Sequence, residues 1–442
     1  MTKVKCPLKM AADRWPNSTA LVAPDINLNY RQFEQCVVSA VARLRKINVK
    51  QDDRVAVISD NRWEHVVLLW ALWRLGVTSC VISPRYPSEM VISILRNTDC
   101  RIIICHTGMI SKELPSSICV IGLETVVCLD DKTDNIFVDV EPINLDRDAT
   151  IVLTSGTSAK PKAALHTFGN HYYNALGSNA NITIASGDCW LLSLPLYHVG
   201  GLGVLFRTML AGGAIVVPEI EKSVNIAIER HEITHLSLVP TQLRSMLDEP
   251  LCRKAQERLK AVLVGGSSIP SSLISRGYEK GLPLFMTYGL TEMTSQVTTT
   301  PPNSPVESLY TSGRTLKYRE VSLDGHGEIL VSGKTLFKGY IESDSVVLPL
   351  DTEGWFHTGD MGDFDKTGNL TVQGRRDNMF ISGGENIHPE EIEQALCLLS
   401  DISEAVVVPC DDDQFGFRPV AFINTLDRQK IKNRDIVHHL EQ

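Results

Sequence analysis

Short, apolar, β-branched runs alternate along this chain with segments of helical period, and that alternation limits it to an α/β fold built on largely parallel sheets. A helical stretch at 30–47 leads into an apolar run at 54–59. Another at 63–75 precedes a run at 77–82, and a third at 90–97 precedes one at 101–105. Further strands are expected at 151–153, 190–194, 214–217, 235–239, 261–264 and 284–287. From Val321 the texture changes to short strands separated by glycine turns, at 321–323, 328–331, 339–341 and 370–372. These predict a small antiparallel, barrel-like part. After the GRRD stretch that ends at Asp377 a last unit begins, with Pro389 in the first turn of a helix and strands at 404–408 and 419–423.

The expected organisation is therefore a large N-terminal domain, 1–376, of mostly parallel sheets with helices. Its barrel-like subdomain covers about 310–376, and a small α+β C-terminal domain follows at 377–442, with a hinge near Asp377. The stretch 298–308 (TTTPPNSPVES) is expected to be an ordered surface connection.

Polar segments, four of them containing glycine, follow directly on five of the apolar strands: 154–162 (TSGTSAKPK), 195–201 (PLYHVGG), 240–242 (PTQ), 265–270 (GGSSIP) and 287–292 (TYGLTE). Open α/β sheets bind ligands beyond the carboxyl ends of their strands, so five such loops predict one shared crevice. The first has the chemistry of a phosphate loop. Thr154, Ser155, Thr157 and Ser158 supply hydroxyls, Gly156 permits close backbone approach, and Lys160 and Lys162 supply charge. It is not a Walker A loop, because that pattern needs glycine where Pro161 stands. Glu292 suits Mg²⁺, which takes one or two carboxylates together with phosphate oxygens. Tyr288 could stack on a base, and Asp360 could bond a ribose diol or simply cap a turn.

Composition narrows the partners. A formal charge of −9 gives no general attraction to nucleic acid or anionic membrane. Eleven cysteines without a CxxC pair read as free thiols in a reducing compartment. The first residues contain no apolar signal core, and the longest greasy stretch, 66–73, is too short to span a bilayer. A cytoplasmic protein without membrane insertion is expected.

The segments TSGTSAKPK, YGLTE, GWFHTGD and GRRDNMFISGGENIHPEEIE resemble, in order and spacing, the signature motifs of the adenylate-forming superfamily of acyl-CoA synthetases, luciferases and peptide-synthetase adenylation domains. The likeness spans roughly residues 20 to 425. Finer stretches, AALHT, WLLSLPLYHVGG, SLVPTQL and LKAVLVGGSSIP, are similar to o-succinylbenzoate–CoA ligases of menaquinone synthesis. The resemblance implies ATP, Mg²⁺ and coenzyme A as cofactor and co-substrates, and a small carboxylic acid as the molecule activated. Relatives of this kind are often homo-oligomers. The alternatives are a CoA ligase for another aryl or fatty acid, or a nucleotide- or acyl-binding remnant with impaired adenylation.

Carried over by motif, Thr154, Ser155, Gly156, Thr157, Ser158 and Lys162 would cradle the triphosphate. Gly265, Gly266, Ser267, Tyr288, Gly289 and Thr291 would line the adenine side, with Glu292 on the metal. Asp360 and Arg375 would hold the ribose hydroxyls, and His198 would sit beside the reacting carboxylate. Gly383, Gly384 and Glu385 would belong to the loop that faces the site during thioester formation.

Two features depart from that pattern. Ala159 stands where the family usually has glycine, which would cost about 1–2 kcal/mol if the backbone there is left-handed. The sequence also ends at Gln442, before the segment that carries the family's late lysine, and neither Lys430 nor Lys432 takes over its role. Adenylation without that charge is expected to be slower by about 10²–10³, with the thioester step less affected. Finally, His231 and His235 fit the HExxH pattern, which binds zinc only on a helix. Ile233, Thr234, Leu236 and Leu238 favour a strand instead, so a zinc protease is not expected.

Overall fold

The computed structural model describes residues 2–106, 114–129, 141–154, 161–219, 223–342, 345–382, 385–387, 389–399, 402–412 and 415–425. Within them two large sheets dominate. The first runs in the order Ser345–Val347, Gly339–Glu342, Lys162–Thr167, Asp148–Thr154, Thr78–Ile82, Arg54–Ile58, Ile102–Cys105, Cys119–Gly122. From Asp148–Thr154 onwards its strands pair parallel, whereas Lys162–Thr167 and Gly339–Glu342 form an antiparallel edge. The short strand around Tyr340, expected in the small antiparallel part, thus belongs to this sheet. The second sheet has six neighbouring parallel strands, from Leu284–Leu290 through Ala261–Val264, His235–Leu238, Cys189–Leu191 and Ala214–Val216 to Thr19–Ala23, flanked by antiparallel edges.

Helix Trp63–Leu75 explains how the sheets come together. Its sequence, WEHVVLLWALWRL, is apolar on every side, and His65 through Trp73 are all buried. A helix of that kind must lie inside a core. It stops at Gly76, whose φ of 88° places it in the left-handed region that glycine tolerates without a Cβ penalty. Helix Val199–Ala211 is equally apolar and also ends on a left-handed glycine, Gly212. Phe206 of the second helix meets Trp70 and Trp73 of the first at ring distances of 5.3 and 5.0 Å. Around them one continuous core takes in Val57, Val81 and Val152 from the first sheet and Leu21, Trp190 and Leu263 from the second.

Helix Tyr30–Lys46 is started by a reciprocal cap. Asn29 accepts from the Gln32 amide, and the Gln32 side chain accepts from the Asn29 amide. Arg319–Leu323, Glu328–Gly333, Phe356–Phe364 and Leu370–Arg375 form a third, antiparallel sheet. Beyond the short turn Arg376–Asn378, a fourth sheet and helix Pro389–Leu396 make up the small C-terminal part, with Pro389 opening the helix as expected.

The threonine stretch at 298–300 is buried rather than at the surface: Thr298, Thr299 and Thr300 are at most 1% exposed. Strand Ser295–Thr299 pairs with Leu284–Leu290, and each hydroxyl finds a partner, as when Thr298 donates to the Ser312 carbonyl at 2.7 Å. β-Branched threonine fills a pleated surface at no polar cost when its hydroxyl is bonded to backbone. Among the described residues no helix is long and apolar enough to cross a membrane.

Candidate active site

The Leu284–Leu290 strand continues past its expected end at 287 because Ser295–Thr299 pairs back on it. Glycine is required at 289, where an added Cβ would lie 2.1 Å from the Ser295 carbonyl oxygen. Beside this strand, the turn after Ala261–Val264 contains Gly266 at φ +92°. Between them and the third sheet lies a cleft of about 370 Å³. Gly266, Ser267, Tyr288, Gly289, Asp360 and Arg375 line it, so six residues singled out from sequence converge there. Gly265 packs just behind, against Thr287.

Asp360 anchors the cleft. It is 9% exposed, accepts from the Tyr288 hydroxyl at 2.6 Å and receives Arg375 Nη1 at 3.0 Å. Arg375 also donates to the Thr358 carbonyl at 3.1 Å. Burial raises the Asp360 carboxyl above the ordinary range, while the Tyr288 hydrogen bond and the Arg375 charge oppose that rise. Tyr288 is pushed well up by its own burial and by the Asp360 charge, so its hydroxyl stays a donor.

A second constellation surrounds Glu292, which lies with Thr291 in the tight turn Thr291–Met293. Glu292 Oε1 accepts from the Tyr340 hydroxyl at 2.5 Å. Its other oxygen has no hydrogen bond among the described residues. The Lys162 ammonium lies 4.9 Å from the centroid of the same Tyr340 ring. Lys162 is the register partner of Thr154 in the antiparallel pairing of Lys162–Thr167 with Asp148–Thr154. Residues 155–160, with Ser155, Gly156, Thr157, Ser158 and Ala159, lie outside the described residues, as do Gly383 and Gly384 and everything beyond 425. No group of three or more His, Cys, Asp or Glu side chains forms a metal nest among the described residues. One carboxylate with a free oxygen fits Mg²⁺, which completes its shell with phosphate oxygens and water.

His198 sits at the start of helix Val199–Ala211, its ring 4.8 Å from that of Tyr197. His198 is exposed, and partial desolvation lowers its pKa from the ordinary value. Tyr197, Asn61, Arg85, Ser193 and Gln242 line a second cleft of about 240 Å³. Asn61 fixes this loop by donating to the carbonyls of Leu192 and Leu194 and accepting from the Leu196 amide. His198 and Lys162 do not line the first cleft.

Two residues escaped the sequence reading. Tyr340 is one, because its partners are distant in the chain. Arg207 is the other: it is 1% exposed, its Nε and Nη1 have no hydrogen-bond partner among the described residues, and it lies 5.2 Å from the Trp190 ring centroid. Burial lowers its pKa to about 10. Arg319, close enough to be affected by its charge, is satisfied by the backbone carbonyls of Gln296, Lys317 and Asn174. A lone arginine in VGGLGVLFRTMLA was the available signal.

The HExxH residues do not form a zinc site. Helix Val224–Arg230 ends before His231, and His235 begins a strand.

The chain is similar in sequence and in fold to proteins of known family. Residues 8–341 match the family described as AMP-binding enzyme. The 2-succinylbenzoate–CoA ligase of Bacillus velezensis is 32% identical over 423 residues, covering 92% of this chain and 85% of the relative. The Bacillus subtilis ligase of the same name is 31% identical over 427 residues, 94% of this chain and 87% of the relative. The o-succinylbenzoate CoA synthetase from Bacillus subtilis, solved in complex with its acyl-adenylate intermediate, superposes with a TM-score of 0.90 at 29% identity. That match covers 100% of this chain and 92% of the solved one. The same enzyme in complex with ATP and magnesium gives 0.88 at 30% identity, covering 99% and 93%. With its two sheets, its cleft and its ordered motifs, the chain belongs to the AMP-binding enzyme family.

Proposed function

We propose that this chain is an ATP-dependent, AMP-forming ligase that joins o-succinylbenzoate to coenzyme A in the cytoplasm, on the route to menaquinone. One observation carries the nucleotide half of the reading: the buried Asp360 carboxylate, held between Tyr288 and Arg375, borders the cleft at the carboxyl end of the Leu284–Leu290 strand. A diol bonded there would find an acceptor in Asp360 and a donor in Arg375. The Tyr288 ring and the backbone around Gly265, Gly266, Ser267 and Gly289 offer an adenine-sized wall. The 30–32% identical ligases support the choice of acid.

In the first step a carboxylate oxygen attacks the α-phosphorus of ATP and pyrophosphate leaves. In the second the CoA sulfur attacks the acyl carbon and AMP leaves. The first step brings two anions together, so positioning and charge neutralisation do most of the work. Thr154 and Lys162, with Ser155, Gly156, Thr157 and Ser158, would cradle the triphosphate, while Thr291 shapes the turn that presents Glu292. Glu292 would hold Mg²⁺, which when bound neutralises phosphate charge. His198, kept neutral by partial burial, would orient the carboxylate, which is already ionised. Arg207, a buried guanidinium whose Nε and Nη1 have no partner among the described residues, favours an acid with a second carboxylate. We place the boundary between the two domains at 376/377, beside the turn Arg376–Asn378, with Gly383 and Gly384 on the face used in thioester formation.

Incubation with ATP, Mg²⁺, CoA and a panel of acids, read by mass spectrometry, tests this. AMP and o-succinylbenzoyl-CoA are expected. Thioester formed solely from another acid overturns the substrate, and the absence of AMP with every acid overturns the ligase reading.

A further inference from the structure

Glu292 is held by a residue from a strand that carries none of the recognised motifs. We infer that Tyr340 is a positioning residue that sets the Glu292 carboxylate for its metal and ties it to Lys162 of the phosphate loop. This deepens the reading given under Proposed function and rests on it.

The argument begins with strand register. Tyr340 lies opposite Ala164 in the antiparallel pairing of Gly339–Glu342 with Lys162–Thr167. Alternate residues of a strand share a face, so Lys162, Ala164 and His166 point the same way. The middle one is small, which leaves room for the Tyr340 ring beside it. At one end of this row the Lys162 ammonium rests on the ring face, 4.9 Å from its centroid. At the other, His166 Nε2 lies 2.7 Å from the Thr291 carbonyl oxygen. A carbonyl can only accept, so that nitrogen carries the proton and His166 pins the backbone of the turn that bears Glu292. The Tyr340 hydroxyl then reaches Glu292 itself at 2.5 Å.

Tyr340 is well placed for a fixed orientation. It is 9% exposed, and its ring is wedged edge-on against Phe337 at 4.8 Å. A carboxylate can only accept, so in this contact the Tyr340 hydroxyl is the donor. One carboxylate oxygen is thereby occupied and the other left for a cation. A carboxylate free to rotate would have to be ordered when the metal arrives, and ordering costs affinity.

The test is Tyr340→Phe, which keeps the ring, the Lys162 contact and the Phe337 packing while removing the hydroxyl. Calorimetric titration would compare wild type and variant with AMP alone, with ATP alone and with ATP plus Mg²⁺. A hydrogen bond to a charged acceptor is worth about tenfold in binding. The gain in ATP affinity on adding Mg²⁺ is therefore expected to shrink about tenfold in the variant, with AMP affinity unchanged. An unchanged Mg²⁺ gain overturns the inference, and so does an equal loss of AMP affinity, which would mark a merely structural tyrosine. Wild-type protein that binds neither AMP nor Mg²⁺–ATP overturns the nucleotide reading itself, and this inference with it.

Discussion

Asp360 and Arg375 stand directly opposite each other in the antiparallel pairing of Phe356–Phe364 with Leu370–Arg375, and their side chains meet at 3.0 Å across the floor of the cleft. The pairing sets a carboxylate and a guanidinium side by side, and Tyr288 holds the remaining carboxylate oxygen. Asp360→Ala should therefore weaken AMP and ATP binding by about tenfold or more, since each lost hydrogen bond involves a charged group. Calorimetric titration with AMP checks this. Wild-type affinity in the variant would place the nucleotide elsewhere.

Arg207 predicts opposite effects on stability and on substrate use. Removing a buried cation whose Nε and Nη1 have no partner among the described residues relieves a desolvation penalty, so Arg207→Met should raise unfolding free energy by about 1 kcal/mol or more. The same change should raise the KM for o-succinylbenzoate on the order of a hundredfold, as expected for loss of a buried charge pair, and leave ATP affinity alone. Denaturant unfolding and steady-state kinetics read the two effects separately. A less stable variant with an unchanged KM would make Arg207 a packing residue.

Gly289→Ala should cost about 3 kcal/mol, because the new methyl would collide with a backbone oxygen rather than with a movable side chain. The strain falls next to Tyr288, so AMP affinity should drop along with the thermal midpoint. A midpoint within a degree of wild type would contradict the observed approach of Ser295.

Buried histidines set the response to acid. Burial lowers His65 and His166 from 6.5 to about 4. Their unfolded forms bind a proton first as pH falls, so the stability they contribute is fully present above pH 6.5 and is lost as pH drops towards 4. Each accounts for about 3 kcal/mol over that window. Denaturant titrations between pH 7 and 4.5 should show the decline, and His65→Gln should make it shallower by about one proton. A slope unaltered by that substitution would remove His65 as a contributor.

Much of this architecture is written locally. Helix Trp63–Leu75 and strand Ala261–Val264 fall where the apolar pattern and the flanking glycines put them. The strand-end loops also announce themselves, because glycine, hydroxyl and charged residues clustered after an apolar run have few other uses. Strand ends were less legible. Leu284–Leu290 outruns its apolar stretch because a partner strand extends it, and the threonines at 298–300 are buried by that same pairing. The HExxH pattern shows the converse, a local motif emptied of meaning by where a helix stops.

Local patterns a few residues long were enough for the fold class, the order of the loops and the choice of Tyr288, Asp360 and Arg375, which line one cleft. Only the long-range packing shows that Tyr340 holds Glu292, 48 residues away, and that Arg207 Nε and Nη1 are buried without a hydrogen-bond partner among the described residues. Such facts depend on which strands pair and in what register, and on what fails to be nearby. Neither is encoded in any single stretch of chain.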